Sequence, residues 1–134
     1  MMEILSLHTK KRVEFVEITA EVERIVFQKK IRQGIGIIFC PHTTAGLTIN
    51  ENADPSVTRD IICHLQELIP EDKNYAHLEG NADAHIKSSL VGNSLYIIIE
   101  ETKLVLGRWQ GIYFCEFDGP RKRQVYIKII EDRR

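Results

Sequence analysis

The amino-acid sequence predicts an α+β fold, a single compact domain over residues 1–134 with a mixed, largely antiparallel sheet and two main helices. Three observations predict it. The 134 residues suffice for one domain that buries roughly two-thirds of the surface its unfolded chain would expose. Hydrophobic residues (43%) and charged residues (28%) occur in the proportions of an ordinary globular protein. Strand-like and helix-like segments follow one another without the regular alternation of a doubly wound fold.

The N-terminal segments predict two strands and a helix. Segments 3–8 and 13–18 have strand character and are separated by a basic turn, so we predict an opening β-hairpin. From Thr19, a suitable N-cap residue, apolar residues recur at helical spacing, and Gly34 provides a stop signal. This pattern predicts a helix over 20–32.

The next segments predict two more strands and a second helix. Segment 36–39 is continuously apolar, whereas segment 46–50 alternates between apolar and polar residues. Asp54 and Pro55 then form an N-cap followed by proline at the first helical position, which predicts a helix that continues to Pro70. The apolar stripe of this helix consists of Val57, Ile61, Ile62, Leu65 and Leu68.

Residues 71–93 are polar, and within them the sequence predicts a short helix from Ala84 to Val91, ended by Gly92. Strand-like segments complete the chain at 94–100, 104–106, 111–117 and 125–130.

Charge and cysteine usage limit the function classes. With 18 basic and 19 acidic residues, the net charge of −1 favours neither a nucleic-acid nor a membrane partner. Apolar runs are far shorter than the ~20 residues of a membrane span, and no signal peptide is evident. Cys40, Cys63 and Cys115 lie among apolar residues without a CxxC pair, so we expect reduced, structural thiols in a cytoplasmic protein.

Groups that are costly to bury concentrate in three segments, namely 41–55, 77–85 and 107–123. Of the five histidines, His42, His77 and His85 lie in these segments. Three imidazoles around an open position suit a catalytic zinc or another borderline divalent metal. The same histidines also suit phosphate binding or general acid–base catalysis, and their spacing leaves both alternatives open.

Asn81, Asp83 and His85 have different roles in an extended and in a helical segment. If the segment is extended, all three project to one side and Asp83 could orient an imidazole. If it opens a helix, only Asn81 and His85 share a face, and Asp83 becomes a helix N-cap.

The third segment supplies positive charge and an aromatic ring. Arg121 belongs to a basic turn that, together with Lys87, suits phosphate or pyrophosphate, although such turns are often only solvated. Trp109 and Gln110 could provide a stacking face and an amide for a planar ring. A partly buried core indole is the alternative.

Three ordered motifs, CPHTTAGLTINENADP, HxEGNADAHIKSSLVG and LGxWQGIYFCEFDGPRxR, resemble the YjbQ-like family, described as secondary thiamine-phosphate synthases. The resemblance spans about residues 36–130. It implies an α+β fold, a homotrimer with polar sites near subunit boundaries, and the joining of a pyrimidine pyrophosphate to a thiazole phosphate. Two positions depart from the family pattern: Arg108 replaces a small hydroxyl residue, and Thr102 replaces a glycine.

The resemblance also implies site residues. His42, His77 and His85 stand at the family's histidine positions, which implies a metal or phosphate site. The other matching residues are Glu51, Asp54, Asn81, Asp83, Trp109, Gln110, Glu116, Asp118 and Arg121.

The main hypothesis is a transferase that acts on small phosphorylated substrates. In it the three histidines hold a divalent ion, Asn81, Lys87 and Arg121 contact the substrate, and Trp109 with Gln110 contacts a ring. Zinc is favoured by ligand type, and magnesium would accompany pyrophosphate.

Two alternatives remain open. One is a zinc-dependent hydrolase of a phosphorylated substrate, with Glu51 or Asp83 as proton acceptor. For either enzyme the candidate catalytic residues are His42, Glu51 and Asp83. The other is a trimeric module that binds a phosphorylated ligand without changing it.

Overall fold

The computed structural model describes residues 2–133 of the chain. Its elements in chain order are β1 (Met2–His8), β2 (Glu14–Glu17), α1 (Thr19–Gln28), β3 (Gly34–Phe39), β4 (Ala45–Glu51), α2 (Pro55–Leu68), α3 (Ala82–Val91), β5 (Ser94–Glu100), β6 (Lys103–Leu104), β7 (Gln110–Glu116) and β8 (Lys122–Glu131). The predicted α+β class is confirmed, and the short helix predicted over 84–91 is observed as α3, which begins two residues earlier.

The strands form two sheets, a five-stranded sheet in the order β1-β8-β3-β5-β6 and a three-stranded sheet in the order β2-β7-β4. All strand pairs in residues 2–133 are antiparallel, so the predicted mixed character is not observed. The predicted opening hairpin is wrong, because β1 pairs with β8 and β2 pairs with β7. The backbone amide of Thr9 donates to the Arg121 carbonyl (3.0 Å), and the next residues carry the chain to the other sheet.

The main core lies where α1 and the inner faces of the two sheets meet. Its fully buried side chains include Val22, Ile38, Leu47, Phe114 and Ile127. The opposite face of β7 is buried as well. There Cys115 and Phe117 pack with Ala84 of α3, so α3 covers the three-stranded sheet. Burial on both faces makes β7 the central strand around which the molecule is organised.

Helix α1 is shorter than predicted and begins differently. Thr19 is its first residue rather than its cap, and its Oγ1 accepts the Ile112 amide (2.8 Å) and donates to Glu17 (2.9 Å). The helix stops at Gln28, because Lys30 takes a positive φ of 57°. Such a φ cannot continue a right-handed helix.

Helix α2 begins as predicted but packs differently. Asp54 Oδ1 accepts the Ser56 amide (2.9 Å), and Pro55 is the first helical residue. However, α2 contains no buried residue, and Leu68 is 61% exposed. The rest of the apolar stripe is half-buried. Leu65 packs against the cluster of Cys115 and Phe117, so the stripe faces the protein without becoming fully buried.

The turn between β5 and β6 explains one departure from the family pattern. Glu101 (φ 51°) and Thr102 (φ 65°) both lie in the left-handed region, which is costly for a β-branched residue. Glycine adopts this conformation without steric cost. A family glycine at position 102 therefore fits the local backbone better than threonine does.

Within residues 2–133, no helix is both long enough and apolar enough to cross a membrane.

Candidate functional site

A polar pocket lies where the chain enters β4, where α3 begins and where the turn between β7 and β8 approaches them. Its volume is about 360 Å³. The lining side chains come from all three predicted polar segments, and those that carry the chemistry are His42, Thr43, Asn81, His85, Asp118 and Arg121. This pocket is the candidate functional site.

His42 has a defined hydrogen-bonding role at this pocket. Strand β3 ends at Phe39, which pairs with Tyr126 of the neighbouring strand β8. Gln124 lies two residues before Tyr126 in β8, and its backbone amide donates to His42 Nε2 (2.9 Å). Burial and the nearby charge of Arg123 lower the pKa of His42, so the imidazole is neutral at pH 7. Nε2 also lies 3.2 Å from the Gln124 carbonyl oxygen, but the contact with the Gln124 amide is the shorter one and assigns Nε2 as the acceptor. A neutral imidazole that accepts at Nε2 carries its proton on Nδ1, from which His42 can donate a hydrogen bond.

The start of α3 brings two further histidines together. Asn81 occupies the N-cap position without a capping side-chain bond. Its Nδ2 instead donates to Asp118 (2.9 Å), and its Oδ1 lies 3.0 Å from His77 Nε2. His85 follows one turn after Asn81, and its ring stands nearly perpendicular to that of His77, with 5.1 Å between centroids. The helical alternative is therefore the observed one, and Asn81 and His85 both line the pocket.

Asp83 and Lys87 form a buried ion pair and do not line the pocket. Their side chains are 0% and 1% exposed, and Lys87 Nζ lies 2.8 Å from the Asp83 carboxylate. Arg12 adds two hydrogen bonds to the same carboxylate (3.1 and 3.3 Å). Burial opposes ionisation, but the bonds from Arg12 and Lys87 outweigh it and hold the pKa of Asp83 below its usual value.

The buried pair corrects two predicted roles. Lys87 is buried and paired with Asp83, and it does not line the pocket, so it does not supply phosphate contacts in this geometry. Asp83 is neither an N-cap nor the partner of an imidazole, and its lowered pKa makes it a poor proton acceptor.

A second buried pair borders the same pocket, which its arginine helps to line. Glu116 (0% exposed) and Arg123 (3% exposed) are hydrogen-bonded, and Arg123 also donates to Thr44 Oγ1 (2.9 Å). Thr9 Oγ1 donates to Glu116 (2.7 Å). Burial opposes ionisation of Glu116, but Arg123 and Thr9 outweigh it and lower its pKa. We did not predict this pair. Arg123 lies two residues before the buried Val125 in β8, so the alternation of a strand places both side chains on the same face.

Arg121 is the more exposed guanidinium of the pocket. It donates to the backbone carbonyl (2.8 Å) and the carboxylate (3.1 Å) of Asp118, and its side chain is 51% exposed. Asp118 is held in turn, because its amide donates to Glu116 (3.0 Å). The guanidinium is therefore anchored beside the pocket while about half of the side chain stays exposed.

Three other predicted site residues lie at the opposite end of the three-stranded sheet. Glu51 pairs with Gln110 at the far end of β4, whereas the pocket adjoins its beginning at Ala45. Six residues of extended strand correspond to about 20 Å. Trp109 is 54% exposed there, with the Arg108 guanidinium 4.8 Å from its ring centroid.

Glu51 and Gln110 also have local partners. Glu51 accepts the Asp54 amide (3.1 Å), and Gln110 accepts the Gly107 amide (2.7 Å). In one chain, Glu51, Trp109 and Gln110 therefore do not contribute to the pocket, and the departure at Arg108 lies away from it too.

Comparison with known proteins decides the family. The family model for UPF0047 protein YjbQ-like matches residues 3–132. The chain belongs to the YjbQ-like family. The UPF0047 protein MJ1081 of Methanocaldococcus jannaschii is 58% identical over 95% of this chain and 92% of its own length. The UPF0047 protein YugU of Bacillus subtilis is 52% identical over 97% of this chain and 99% of its own.

Solved structures of YjbQ-like proteins agree with the fold. An uncharacterized family member from Clostridium acetobutylicum is 55% identical, with a TM-score of 0.94 over 96% of this chain and 99% of its own. A protein of unknown function from Sulfolobus solfataricus is 32% identical, with a TM-score of 0.94 over 98% of this chain and 97% of its own. The resemblance read from the three motifs is confirmed at the level of family and fold. The family itself is one of unknown function.

The three histidines of this YjbQ-like chain do not form a joint metal site. In residues 2–133, no group of three His, Cys, Asp or Glu side chains lies close enough to hold a metal ion. His42 Nε2 accepts the Gln124 amide, and His77 Nε2 is hydrogen-bonded to Asn81. The donor set therefore does not fit a zinc ion bound by all three imidazoles of one chain.

Proposed function

We propose that this chain is an enzyme that binds the phosphate or pyrophosphate group of a small molecule in the pocket between His42, His85 and Arg121. One observation carries the proposal, namely that the pocket combines an anchored guanidinium with a neutral imidazole that presents its Nδ1–H. Both groups donate hydrogen bonds, and donors at fixed positions are what phosphate oxygens require.

The reaction we propose is of the thiamine-phosphate synthase type, which the motif resemblance implies. In it, a thiazole nitrogen attacks the methylene carbon of a pyrimidine, the new C–N bond forms, and the C–O bond to pyrophosphate breaks. Arg121 and His42 donate to the oxygens of the departing pyrophosphate. Such a reaction depends on orientation and charge neutralisation more than on a base. This agrees with the position of Glu51 and Asp83 outside the pocket.

The divalent metal stays a prediction, and elemental analysis of untagged protein tests it. We place the activity in the cytoplasm, which the free thiols of Cys40, Cys63 and Cys115 support.

Calorimetric titration with pyrophosphate tests the site. We expect one pyrophosphate per pocket, and about a 10- to 100-fold weaker affinity for Arg121→Ala, because a hydrogen bond to a charged group contributes about 1.5–3 kcal/mol. The matched control is Arg108→Ala, which removes the same charge at the far end of the sheet. Equal affinities of Arg121→Ala and wild type would contradict the site.

Incubation with the two thiamine precursors then tests the reaction. Formation of thiamine phosphate supports the transferase. Pyrophosphate or precursor binding without any chemical change would instead identify a ligand-binding module.

We further propose that the chain assembles as a homotrimer through the outer face of the five-stranded sheet. The resemblance supplies the number of subunits. The outer face of this sheet is the proposed contact surface because apolar side chains are neighbours on it. Ile35 lies opposite both Ile98 and Ile130, and Phe39 stacks with Tyr126. Its exposed apolar side chains are Met2, Ile4, Ile35, Phe39, Tyr96, Ile98 and Ile130. The exposed Lys128 pairs with Met2 and with Ile37 on the same face, so the apolar side chains surround one basic group. Apolar surface of this extent is typical of subunit interfaces, and a net charge of −1 does not oppose self-association.

Light scattering tests the assembly. We expect three chain masses for the wild type and one chain mass for Tyr96→Glu, since Tyr96 is 81% exposed in a single chain and its replacement leaves the fold intact. Gln28→Glu places the same charge on an exposed position of α1 and should leave the mass unchanged. A monomeric wild type, or a Tyr96→Glu variant that stays trimeric, would exclude this face.

A further inference from the structure

A second, apolar cavity of about 380 Å³ adjoins the phosphate pocket. It is lined by Tyr75, Ala76, His77, Ala82, His85 and Ile86. His85 lines both cavities, so the two adjoin at this residue. A molecule whose phosphate lies beside Arg121 would reach the apolar cavity by extending past His85.

The walls of this cavity suit a flat group. The hydroxyl of Tyr75 donates to the Pro70 carbonyl, so the phenol contributes its apolar ring. The His77 imidazole is held by Asn81 and stands nearly perpendicular to His85. Aromatic walls that meet at an angle favour stacked and edge-to-face contacts with a planar ring.

The chemistry of the walls favours an apolar group. Tyr75 and His77 each use a polar atom within the protein, Ala76, Ala82 and Ile86 are aliphatic, and His85 adds an imidazole. A sugar phosphate would find few protein partners for its hydroxyl groups on these walls, which gives it no advantage over an apolar ring.

We propose that this cavity is a ring subsite, so that the ligand of the chain is a phosphate ester of a planar, uncharged aromatic group. Ile86 is the specificity-determining residue, because its side chain forms the aliphatic wall beside His85. The inference rests on the proposed function, since it takes the phosphate position from it.

Titration followed by amide NMR tests the subsite with three probes: pyrophosphate, methyl phosphate and benzyl phosphate. We expect the wild type to bind benzyl phosphate at least tenfold more tightly than methyl phosphate, because the ring leaves water. Ile86→Ser should reduce this preference to about threefold or less, and leave the pyrophosphate affinity unchanged.

Leu90→Ser is the matched control, because Leu90 lies one turn further along α3, is 60% exposed and does not line the cavity. Ala76→Trp provides a second variant, in which the indole should fill the cavity and block benzyl phosphate while pyrophosphate still binds.

The outcomes separate the two proposals. If pyrophosphate binds but benzyl and methyl phosphate bind equally, the ring subsite is wrong and the phosphate site stands. The ring subsite is also wrong if Ile86→Ser and Leu90→Ser lose the preference equally. If pyrophosphate itself does not bind, the proposed function fails and this inference fails with it.

Discussion

Asp83→Ala should lower the free energy of unfolding by about 3–5 kcal/mol, because it leaves Lys87 without a counter-charge in the interior. Lys87 is 1% exposed, and its ammonium group is hydrogen-bonded to Asp83. Chemical denaturation in urea measures the loss. Asp60→Ala, an exposed aspartate of α2, is the matched control and should change the stability by at most about 0.5 kcal/mol.

A double variant separates loss of the charge pair from loss of packing. Asp83→Leu with Lys87→Met replaces the pair by apolar side chains, and we expect it to recover most of the stability. An Asp83→Ala protein as stable as the Asp60→Ala control would show that the pair does not stabilise the fold.

The pair also predicts an acid dependence. The folded protein holds the pKa of Asp83 below its unfolded value of about 3.9. Its contribution is therefore fully present above pH 4 and is lost as the pH falls through the lower, folded pKa. The wild type should lose this stability below pH 4, whereas the double variant lacks that contribution.

Glu116→Gln should have a comparable effect through the second buried pair, about 3–5 kcal/mol of unfolding free energy. The substitution preserves shape but removes the negative charge that faces Arg123, which is 3% exposed. Glu23→Gln, at an exposed position of α1, is the matched control.

This substitution should also weaken pyrophosphate binding, because Arg123 holds Thr44 and precedes Gln124, whose amide positions His42. Thermal unfolding followed by pyrophosphate titration measures both effects. An unchanged melting temperature would show that the pair is dispensable. The other informative result is a variant that melts at a lower temperature and yet binds pyrophosphate normally at a temperature where it is folded. That result would show that the Glu116–Arg123 pair does not position His42.

Local signals in the sequence predicted several elements correctly. Asp54 and Pro55 predicted the start of α2, since a cap and a proline act on the adjacent backbone. The spacing of Asn81 and His85 predicted that the two residues share one face if the segment is helical, and the segment forms α3. The clustering of polar side chains in the segments containing His42 and Arg121 located the pocket.

Predictions that depended on long-range packing were less successful. The turn after His8 gave no signal that its two flanking strands belong to different sheets. We predicted a surface role for Lys87 from its charge. The sequence of the helix does not show that Asp83 binds both Lys87 and Arg12, which lies 71 residues before Asp83. Glu51 and Trp109 were grouped with the site by composition, whereas the length of β4 separates them from it.

The most direct test is a histidine-selective nitrogen NMR titration with pyrophosphate at pH 7. We expect His42 in the Nδ1–H form, and we expect the ring signals of His42 and His85 to shift as pyrophosphate is added. His8 and the 77% exposed His64 lie outside the pocket and serve as internal controls that do not shift. Ring signals of His42 and His85 that stay unchanged at saturating pyrophosphate would contradict the phosphate site.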